Sequence, residues 1–526
     1  MIGGMNQMED KNLPAAFERL NQKIFCEEYA RKLPFCNCSV VYTNNRLLRN
    51  LGIINQENQL EIDVIVADAF AYVLTNQDSA FDRVVFSDRQ ADPTDVALSG
   101  NEGSGRACYI GKDVNIKGIG RTQLVKNPSN SLHGTGTLDL VTALREAVMS
   151  SFICEHTMTG TSEVLAVIAR TDTTKYVWSE ERLQNALLVR LDKGTLDRVS
   201  HVAYTPIRRQ IDLSAIVDSF ARFDAEMFGH RILHGAWSSG NSSLKGVWLD
   251  MESASIVQGR GARCNITKKY VSNYFGYEAE GIKQVIDHLV NITGTCLSDE
   301  TWKVRFDAVR RVQLHYEFMR LFGIPIAQIP NIMMCAPEGG DLSSNFEMLA
   351  RKISPRKTDL NVFGNADAGT HVLDFSRLLR NLPRVYRNKE DLLSFLIREK
   401  ELGYCAQETY TPDNSAERYL AANAVICREN VQEFARATTS FVDSLLCFTQ
   451  RMESGGLLPK QDVWEYNAYL ANKDYPTFDA LTRNIRKQVT NYQGGKISSQ
   501  ELNKRMNVVM EESHSELNDS KMQKEL

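Results

Sequence analysis

The chain has 526 residues, of which 43% are hydrophobic and 24% are charged, and its formal net charge is −4 at pH 7. A chain of this length can form more than one lobe or domain. The nearly neutral charge does not favour a nucleic-acid partner, which requires a strongly basic surface. The sequence contains no run of 18 apolar residues, so we expect no membrane span.

The cysteines indicate the cellular compartment. All 11 are scattered along the chain, and none forms a C-x-x-C pair. The first residues, MIGGMNQMEDKN, are polar and lack the apolar stretch of a signal peptide. An odd number of cysteines without metal-binding spacing indicates free thiols in a reducing environment. We therefore expect a cytoplasmic protein.

Residues 1–88 predict a helical or mixed segment that packs on the unit that follows it. In AAFERLNQKIFCEEYARKL, residues 15–33, apolar side chains recur at helical spacing. The later segment LEIDVIVADAFAYVL, residues 60–74, is a second predicted helix. Both helices are expected to lie against the nucleotide-binding unit described next.

A glycine-rich segment follows at residues 97–124, ALSGNEGSGRACYIGKDVNIKGIGRTQL, which contains six glycines and two short strand-like runs. Dense glycine lets backbone N–H groups approach a ligand closely, which is one way to cradle phosphates. The same pattern also fits a plain series of hairpin turns. Lys117 lies in the second strand-like run, where a lysine can reach back under a phosphate.

The remainder of residues 89–210 predicts one helix and two strands. The helix is LDLVTALREAVMSSFICEHTM, and the strands are EVLAVIAR and ALLVRLD. Glu146 lies in the middle of the helix, where a glutamate usually faces solvent. In protein kinases a helix glutamate instead faces a strand lysine and positions it on the phosphates. We therefore predict a β-rich N-terminal lobe over residues 89–210.

Helical periodicity dominates residues 211–497, which predict a larger helical lobe that also holds a metal-binding loop. The polar tail, residues 498–526, is expected to be a frayed helix or disordered. The predicted fold class is therefore α+β, with a small β-rich lobe and a large, mainly helical one.

The candidate metal loop is HGAWSSGNSSLKGVWLD, which runs from His234 to Asp250. Within it, LKGVWL predicts a short strand, so Asn241 and Asp250 would lie at the two ends of a hairpin-like unit. An amide oxygen and a carboxylate suit a hard cation such as Mg²⁺. In protein kinases, an asparagine and a later aspartate hold the metals that bridge the ATP phosphates.

These motifs resemble, in the same order, those of the selenoprotein O family of kinase-like proteins, which transfer AMP. The segment HGAWSSGNSSLKGVWLDMES aligns without a gap with that family's HGVMNTDNMS motif and the strand after it. The alignment puts Asn241 and Asp250 on the metal-binding residues of the family. IKGIGRTQ puts Lys117 on the nucleotide lysine, and TLDLVTALREAV puts Glu146 on the helix glutamate. The resemblance covers roughly residues 98–260.

Three arginines extend the resemblance. GSGRA matches the glycine-rich segment of the family and puts Arg106 on its arginine. RLDKGTLDRVSH resembles a segment that carries two phosphate-binding arginines. Arg190 fits the first of these, and Arg198 fits the second with a shift of one residue.

The resemblance implies a bilobal protein-kinase-like fold with ATP between the lobes. Lys117 would be oriented by Glu146, and Asn241 with Asp250 would hold Mg²⁺ or, as an alternative, Mn²⁺. The phosphates would be bound by Lys117 together with the arginines Arg106, Arg190 and Arg198. In this family the nucleotide is inverted relative to that of protein kinases, which implies transfer of AMP to a polypeptide acceptor.

The chain departs from the family pattern at three places. Gly240 stands where the family has an aspartate that assists catalysis, MESASI replaces YGPFG after Asp250, and Thr137 replaces an arginine. A hydroxyl acceptor needs a base, whereas a carboxylate is already ionised at neutral pH. The departures therefore favour a peptide carboxylate as acceptor and an acyltransferase-like partner, as in the family branch associated with microcin maturation.

Two other interpretations stay open at this point. The loss of the family aspartate and of YGPFG also fits a catalytically impaired pseudoenzyme, which binds nucleotide and acts as a scaffold for a partner enzyme. Ordinary phosphotransfer, with ADP rather than pyrophosphate as product, is the third interpretation.

Overall fold

The computed structural model describes residues 14–19, 25–76, 80–88, 105–122, 135–176, 179–204, 211–235, 239–256, 264–266, 269–271, 274–294, 299–335, 339–352, 360–361, 379–380, 382–384, 431–472 and 478–518. Within these ranges the chain has a mixed α+β fold, which confirms the fold class at that level. Residues 97–104 and 123–124 of the glycine-rich segment and the predicted boundary at residue 89 lie outside the described ranges.

The largest element is a nine-stranded sheet in which every pairing is antiparallel. Its strands are β1 (Phe25–Lys32), β2 (Cys38–Thr43), β3 (Tyr72–Thr75), β4 (Arg83–Asp88), β5 (Ala107–Tyr109), β6 (Val114–Lys117), β7 (Leu138–Asp139), β8 (Val164–Lys175) and β9 (Arg182–Leu191). The strand order is β2-β8-β9-β6-β5-β4-β1-β3, and β7 pairs with β9. The predicted strands EVLAVIAR and ALLVRLD correspond to parts of β8 and β9.

The described helices, labelled in chain order, are α1 (Ala16–Arg19), α2 (Asn45–Asn50), α3 (Gln59–Phe70), α4 (Leu140–His156), α5 (Leu213–His230), α6 (Tyr274–Thr293), α7 (Asp299–Leu321), α8 (Ile329–Cys335), α9 (Gly339–Lys352), α10 (Val431–Ser454), α11 (Gln461–Ala471), α12 (Phe478–Gln493) and α13 (Ser499–Asn518). Short strands accompany the later helices: β10 (Ile232–Leu233) pairs with β11 (Ser255–Ile256), and β12 (Cys264–Ile266) pairs with β13 (Lys269–Val271) and β14 (Leu360–Asn361). None of the helices in the described ranges combines the length and apolar character needed to cross a membrane.

In the central strands β8 and β9, residues 164–169 and 186–191 are buried between two cores, which explains why they are apolar except for Arg190. On β9, Leu188 packs in one core with α4, α5 and the last two helices. Its neighbours Leu187 and Val189 pack in a second core on the other face, with α3. Successive side chains of a strand point to opposite faces, so a continuous apolar run serves both cores.

The described residues before residue 89 contribute four strands to this same sheet. They supply β1 to β4, and β4 continues the sheet to β5. The helix expected over residues 15–33 is wrong from Phe25 onward, where the chain forms β1, and residues 20–24 lie outside the described ranges. In β1 the carboxylate of Glu28 is buried and accepts a hydrogen bond of 2.9 Å from Ser87 Oγ on β4. Pairing with two neighbouring strands therefore outweighs the helical spacing of the apolar residues.

The end of the chain also differs from the expectation of fraying or disorder. Over Ser499–Asn518 it forms the regular helix α13, whose side chains Leu502, Met506 and Met510 are buried in the core that includes α4. The backbone N–H of Thr43 on β2 donates to Asn503 Oδ1 at 3.2 Å. Apolar residues at a spacing of four thus attach a polar helix to the N-terminal sheet.

Candidate functional site

Lys117, at the end of β6, lies at the centre of a buried ionic network. Its ammonium group donates to Glu146 Oε2 at 2.8 Å, to Asp250 Oδ1 at 2.8 Å and to Glu252 Oε2 at 2.9 Å. The side chains of Lys117 and Glu146 are each only 2% exposed. The structure thus brings together three of the residues identified from the sequence, together with Glu252, which was not identified.

Strand pairing fixes the position of this lysine. Lys117 pairs with Ala107 of β5 on one side and with Leu188 of β9 on the other. Gly118 follows with a φ of +89°, and a Cβ atom there would lie 2.4 Å from the carbonyl oxygen of Ala186. Only glycine allows the chain to leave β6 in this direction.

Glu146 is presented by α4, which packs across β8 and β9 through Leu144, Ala147 and Val148. The carboxylate of Asp139 caps this helix by accepting from the N–H of Thr142 at 3.0 Å. Contrary to the usual solvent-facing position, Glu146 faces inward toward β6. The helix and the sheet therefore fix the Lys117–Glu146 pair from two sides.

Arg190 joins the network from β9, where it lies opposite Asn115 of β6. Its Nη1 lies 3.2 Å from Asp250 Oδ1 and 3.5 Å from Glu146 Oε1, and its Nη2 donates to Asn115 Oδ1 at 2.7 Å. Its Nε is buried and has no hydrogen-bond partner among the described residues. This guanidinium therefore lies against the same carboxylates as Lys117.

Arg106 lies one residue before β5 and is also buried. Its Nη2 lies 2.9 Å from each carboxylate oxygen of Glu252, and its Nη1 donates to the carbonyl of Thr137 at 3.4 Å. Thr137, which stands where the resembling family has an arginine, thus helps to orient Arg106 through its backbone. Glu252 consequently bridges Arg106 and Lys117.

The loop from Asn241 to Asp250 is a tight turn rather than the strand predicted for LKGVWL. Ser242 and Trp248 form an isolated antiparallel bridge, and the N–H of Ser243 donates to Val247 O at 2.9 Å. The chain reverses between these contacts and so cannot extend as a strand. The N–H of Leu249 donates to the carbonyl of Asn241 at 2.8 Å, which brings Asn241 beside the residue that precedes Asp250.

Asp250 has a left-handed backbone, with φ +59° and ψ +57°, which non-glycine residues rarely adopt. Neighbouring contacts hold this conformation: His234 Nε2 lies 2.6 Å from the carbonyl of Leu249, and Ser253 Oγ donates to the carbonyl of His234 at 2.8 Å. Glu278 on α6 in turn accepts from the N–H of His234 at 2.9 Å. Such conformations cluster at functional sites because the surroundings must enforce them.

Arg198 contacts this turn through both its backbone and its side chain. It forms a bridge with Ser243, and its guanidinium donates to the carbonyl of Gly240. Its own N–H donates to His201 Nδ1 at 3.2 Å. Arg198 therefore contacts the backbone of the candidate metal loop directly, and its charge helps to lower the pKa of Asp250.

The charges in the network stabilise one another. Burial opposes ionisation of Asp250, but four nearby cations hold its pKa well below its usual range; these are Lys117, Arg198, Arg190 and Arg106. Burial likewise opposes the charge of Lys117, but the carboxylates of Asp250, Glu146 and Glu252 raise its pKa. The site thus places four basic side chains against three carboxyl groups.

The described residues contain no group of three or more histidine, cysteine, aspartate or glutamate side chains that could hold a metal ion. The candidate metal ligands are thus limited to Asp250 and the amide of Asn241. Asp250 Oδ1 is already in contact with Lys117 and Arg190. A cation at Asp250 would therefore have to share this carboxylate with them or bind through its other oxygen.

Glu252 is the residue that sequence reasoning missed. It lies in MESASI, the segment that replaces YGPFG, and was treated there only as a departure from the family pattern. The short helical turn Met251–Ser253 buries Met251 and leaves Asp250 and Glu252 on either side of it. A carboxylate two positions after a candidate metal ligand was the available signal.

No protein-family model matches the chain, and no curated protein matches it.

Proposed function

We propose that the chain is a kinase-like adenylyltransferase, which uses ATP and Mg²⁺ to transfer AMP to a polypeptide acceptor. The contact of Lys117 with both Glu146 and Asp250 carries the proposal. A strand lysine, a helix glutamate and a metal-binding aspartate are shared parts of kinase phosphate sites. In this proposal the sheet that carries Lys117 belongs to one lobe, the helices of residues 211–497, from α5 onward, belong to the other, and the nucleotide lies between them.

The excess of cations supports binding of a polyphosphate. Arg106 and Arg190 present planar guanidinium groups, which bind phosphate oxygens in pairs, and Lys117 adds a point charge. In the proposed site Lys117 neutralises phosphate charge and Glu146 holds the lysine in position. Arg190 is held by Asn115 at 2.7 Å, so its guanidinium is already oriented before a ligand arrives.

The pair formed by Asn241 and Asp250 fits Mg²⁺, with Mn²⁺ as the alternative metal. Mg²⁺ commonly binds through one or two carboxylates together with substrate phosphates and water, and it does not require a closed cage of protein ligands. This agrees with the small set of ligands that the described residues offer. The bound metal would neutralise the charge on the phosphate oxygens.

Gly240 favours an acceptor that needs no general base. Its carbonyl accepts from Arg198, and it has no side chain that could take a proton. A peptide carboxylate is ionised at neutral pH, so its oxygen can attack the α-phosphorus directly while pyrophosphate leaves. We therefore propose a peptide C-terminal carboxylate as acceptor and an acyltransferase-like partner that consumes the acyl-adenylate, as in microcin maturation.

A cytoplasmic location belongs to the same proposal. Exposed free thiols at Cys36, Cys335 and Cys447 are compatible with a reducing compartment. ATP and newly made peptides are both available there. Secretion of the protein into an oxidising compartment would argue against this location.

A label-transfer experiment tests the reaction and the acceptor. The protein is incubated with Mg²⁺, ATP labelled at the α-phosphate, and matched peptides with free or amidated C-termini. We expect hydroxylamine-labile label on the free peptides only, pyrophosphate as co-product, and no transfer by the Asp250→Asn variant. ADP as product would overturn AMP transfer. Hydroxylamine-stable label on serine, threonine or tyrosine would overturn only the carboxylate acceptor.

A nucleotide-binding scaffold is the second candidate. It is favoured by Gly240, which offers no acid–base group, and by Lys117, whose three donors all contact carboxylates. The scaffold predicts that ATP with Mg²⁺ raises the melting temperature although no peptide is labelled. The adenylyltransferase proposal predicts both the rise in melting temperature and the labelling of the peptide.

A further inference from the structure

The carboxylate of Glu252 lies between two cations that are proposed to bind phosphate. Its oxygens are each 2.9 Å from Arg106 Nη2, and Oε2 is also 2.9 Å from Lys117 Nζ. We propose that Arg106 and Lys117 form an anion subsite, that Glu252 occupies it as an internal ligand, and that an incoming polyphosphate must displace Glu252. The inference rests on the proposed function in identifying that anion with nucleotide phosphate.

The two cations form a built site because the sheet fixes both of them. Lys117 pairs with Ala107, the residue that follows Arg106, so the two side chains start from adjacent strands. The carbonyl of Thr137 accepts from Arg106 at 3.4 Å and orients the guanidinium. Both cations are almost completely buried, at 6% and 2% side-chain exposure. Buried cations require a counter-charge, which a carboxylate or a phosphate can supply.

Glu252 is better suited to leave this subsite than Glu146. Glu146 is 2% exposed and extends from the middle of the regular helix α4. Glu252 is 19% exposed and extends from the short turn Met251–Ser253. A change of side-chain rotamer can move the Glu252 carboxylate toward solvent while Met251 stays in the core. Moving the Glu146 carboxylate away from Lys117 would instead disrupt the packing around α4.

Displacement exchanges the single charge of the Glu252 carboxylate for the larger negative charge of a polyphosphate, which can serve as counter-charge to both cations. With Glu252 in place, Lys117 contacts three carboxylates. Removing the charge of Glu252 leaves Arg106 without its carboxylate partner and increases the attraction for phosphate. Loss of the Glu252 charge removes contacts that stabilise only the ligand-free protein. A variant without that charge should therefore bind the anion more tightly than the wild type does.

The probe is tripolyphosphate, which contains neither a base nor a ribose. Isothermal titration calorimetry compares its binding to the wild type and to the Glu252→Gln variant. We expect the Glu252→Gln variant to bind it at least about tenfold more tightly than the wild type, as expected for loss of a competing charge-assisted contact. Glu501→Gln removes the same charge from an exposed pair with Arg505 and should leave the affinity unchanged. Equal or weaker binding by Glu252→Gln would overturn the proposal.

A second variant keeps the test decisive if Glu252→Gln folds poorly. Glu252→Asp retains the charge, but its shorter side chain cannot span both cations in the same way, so it should bind tripolyphosphate more tightly than the wild type does. Affinity no higher than that of the wild type in this variant would also overturn the proposal.

Titration of ATP with Mg²⁺ separates this inference from the proposed function. Tighter tripolyphosphate binding by Glu252→Gln, with no ATP binding by either protein, would support the anion subsite and overturn the nucleotide site. ATP binding that Glu252→Gln does not tighten would support the nucleotide site and overturn the role of Glu252. Absence of binding of either probe to either protein would overturn both.

Discussion

Lys117 Nζ lies 2.8 Å from Asp250 Oδ1, although the two residues are 133 positions apart in the sequence. The lysine comes from the large sheet, and the aspartate follows a tight turn beyond α5. Glu146 contacts Lys117, and Arg190 contacts both Glu146 and Asp250. The folding of distant segments therefore builds one charged cluster, and the predictions below test its energetics and its use.

Substitution of the buried lysine should destabilise the protein strongly. Lys117→Met leaves Glu146 charged and buried without its nearest cation, and breaking a buried ion pair typically costs about 3–5 kcal/mol. The double variant Lys117→Met/Glu146→Gln removes both charges and should recover most of the lost free energy of unfolding. Urea denaturation of the two variants checks this. A double variant that is no more stable than Lys117→Met would show that the pair is not coupled.

Glu226 should make stability depend on pH. Burial, followed by the charge of Glu317, raises the pKa of Glu226 from 4.5 to about 7. The folded protein therefore holds this proton more tightly than the unfolded chain, so its free energy of unfolding falls as pH rises from about 4.5 to about 7. The loss attributable to Glu226 is about 3 kcal/mol.

The Glu226→Gln variant isolates this contribution, because it cannot ionise and can still accept from the N–H of Met158. Chemical denaturation of both proteins at several pH values should give curves that diverge across this window. The stability of the wild type should fall relative to that of the variant as pH rises. Parallel curves would contradict the raised pKa.

Gly246 should be essential for the turn that ends near Asp250. Its φ is +72°, and an added Cβ would lie 2.5 Å from Ser219 Cβ and 2.9 Å from the carbonyl of Ile216. Gly246→Ala therefore combines backbone strain with a clash against α5, and we expect a loss of more than about 2 kcal/mol.

Gly456→Ala is the matched control for Gly246→Ala. Gly456 has a φ of +65°, but nothing lies within 4 Å of an added Cβ. It should therefore cost only the strain of a left-handed alanine, about 1–2 kcal/mol. Equal losses in the two variants, measured by thermal or urea denaturation, would mean that the close approach to α5 is unimportant.

The last helix should be part of the stable core. Leu502 is fully buried in α13, so Leu502→Ala should lower the free energy of unfolding by about 2–5 kcal/mol. Val508 lies in the same helix at 43% exposure, so Val508→Ala should change stability by less than about 0.5 kcal/mol. If both variants had the stability of the wild type, the helix would be frayed, as its polar composition suggests.

Sequence reasoning identified the residues of the site better than the elements around them. The spacing of motifs placed Lys117 on a strand and Glu146 on a helix, and the structure places both there and joins them to Asp250. The resemblance could not identify Glu252, because it lies where the family pattern is lost. Its role depends on a turn whose direction is fixed by contacts with His234 and Leu249, which are not visible in a local pattern.

The failures at β1, at the metal-loop turn and at α13 share a physical cause. The helical spacing of residues 15–33 is a local signal, whereas β1 is stabilised by pairing with β3 and β4. The apolar run LKGVWL looks like a strand, but Gly246 reverses the chain in its middle. The polar composition of α13 obscures apolar residues whose partners on α4 and β2 lie more than 300 positions earlier in the sequence.

Calorimetric titration of ATP in the presence of Mg²⁺ tests the central claim most directly. The proteins compared are the wild type, Asp250→Asn, which is similar in shape but lacks the carboxylate charge, and Glu501→Gln as a surface control. The account predicts saturable binding that requires Mg²⁺, is lost in Asp250→Asn and is unchanged in Glu501→Gln. Absence of binding by the folded wild type, or equal binding by Asp250→Asn, would contradict it.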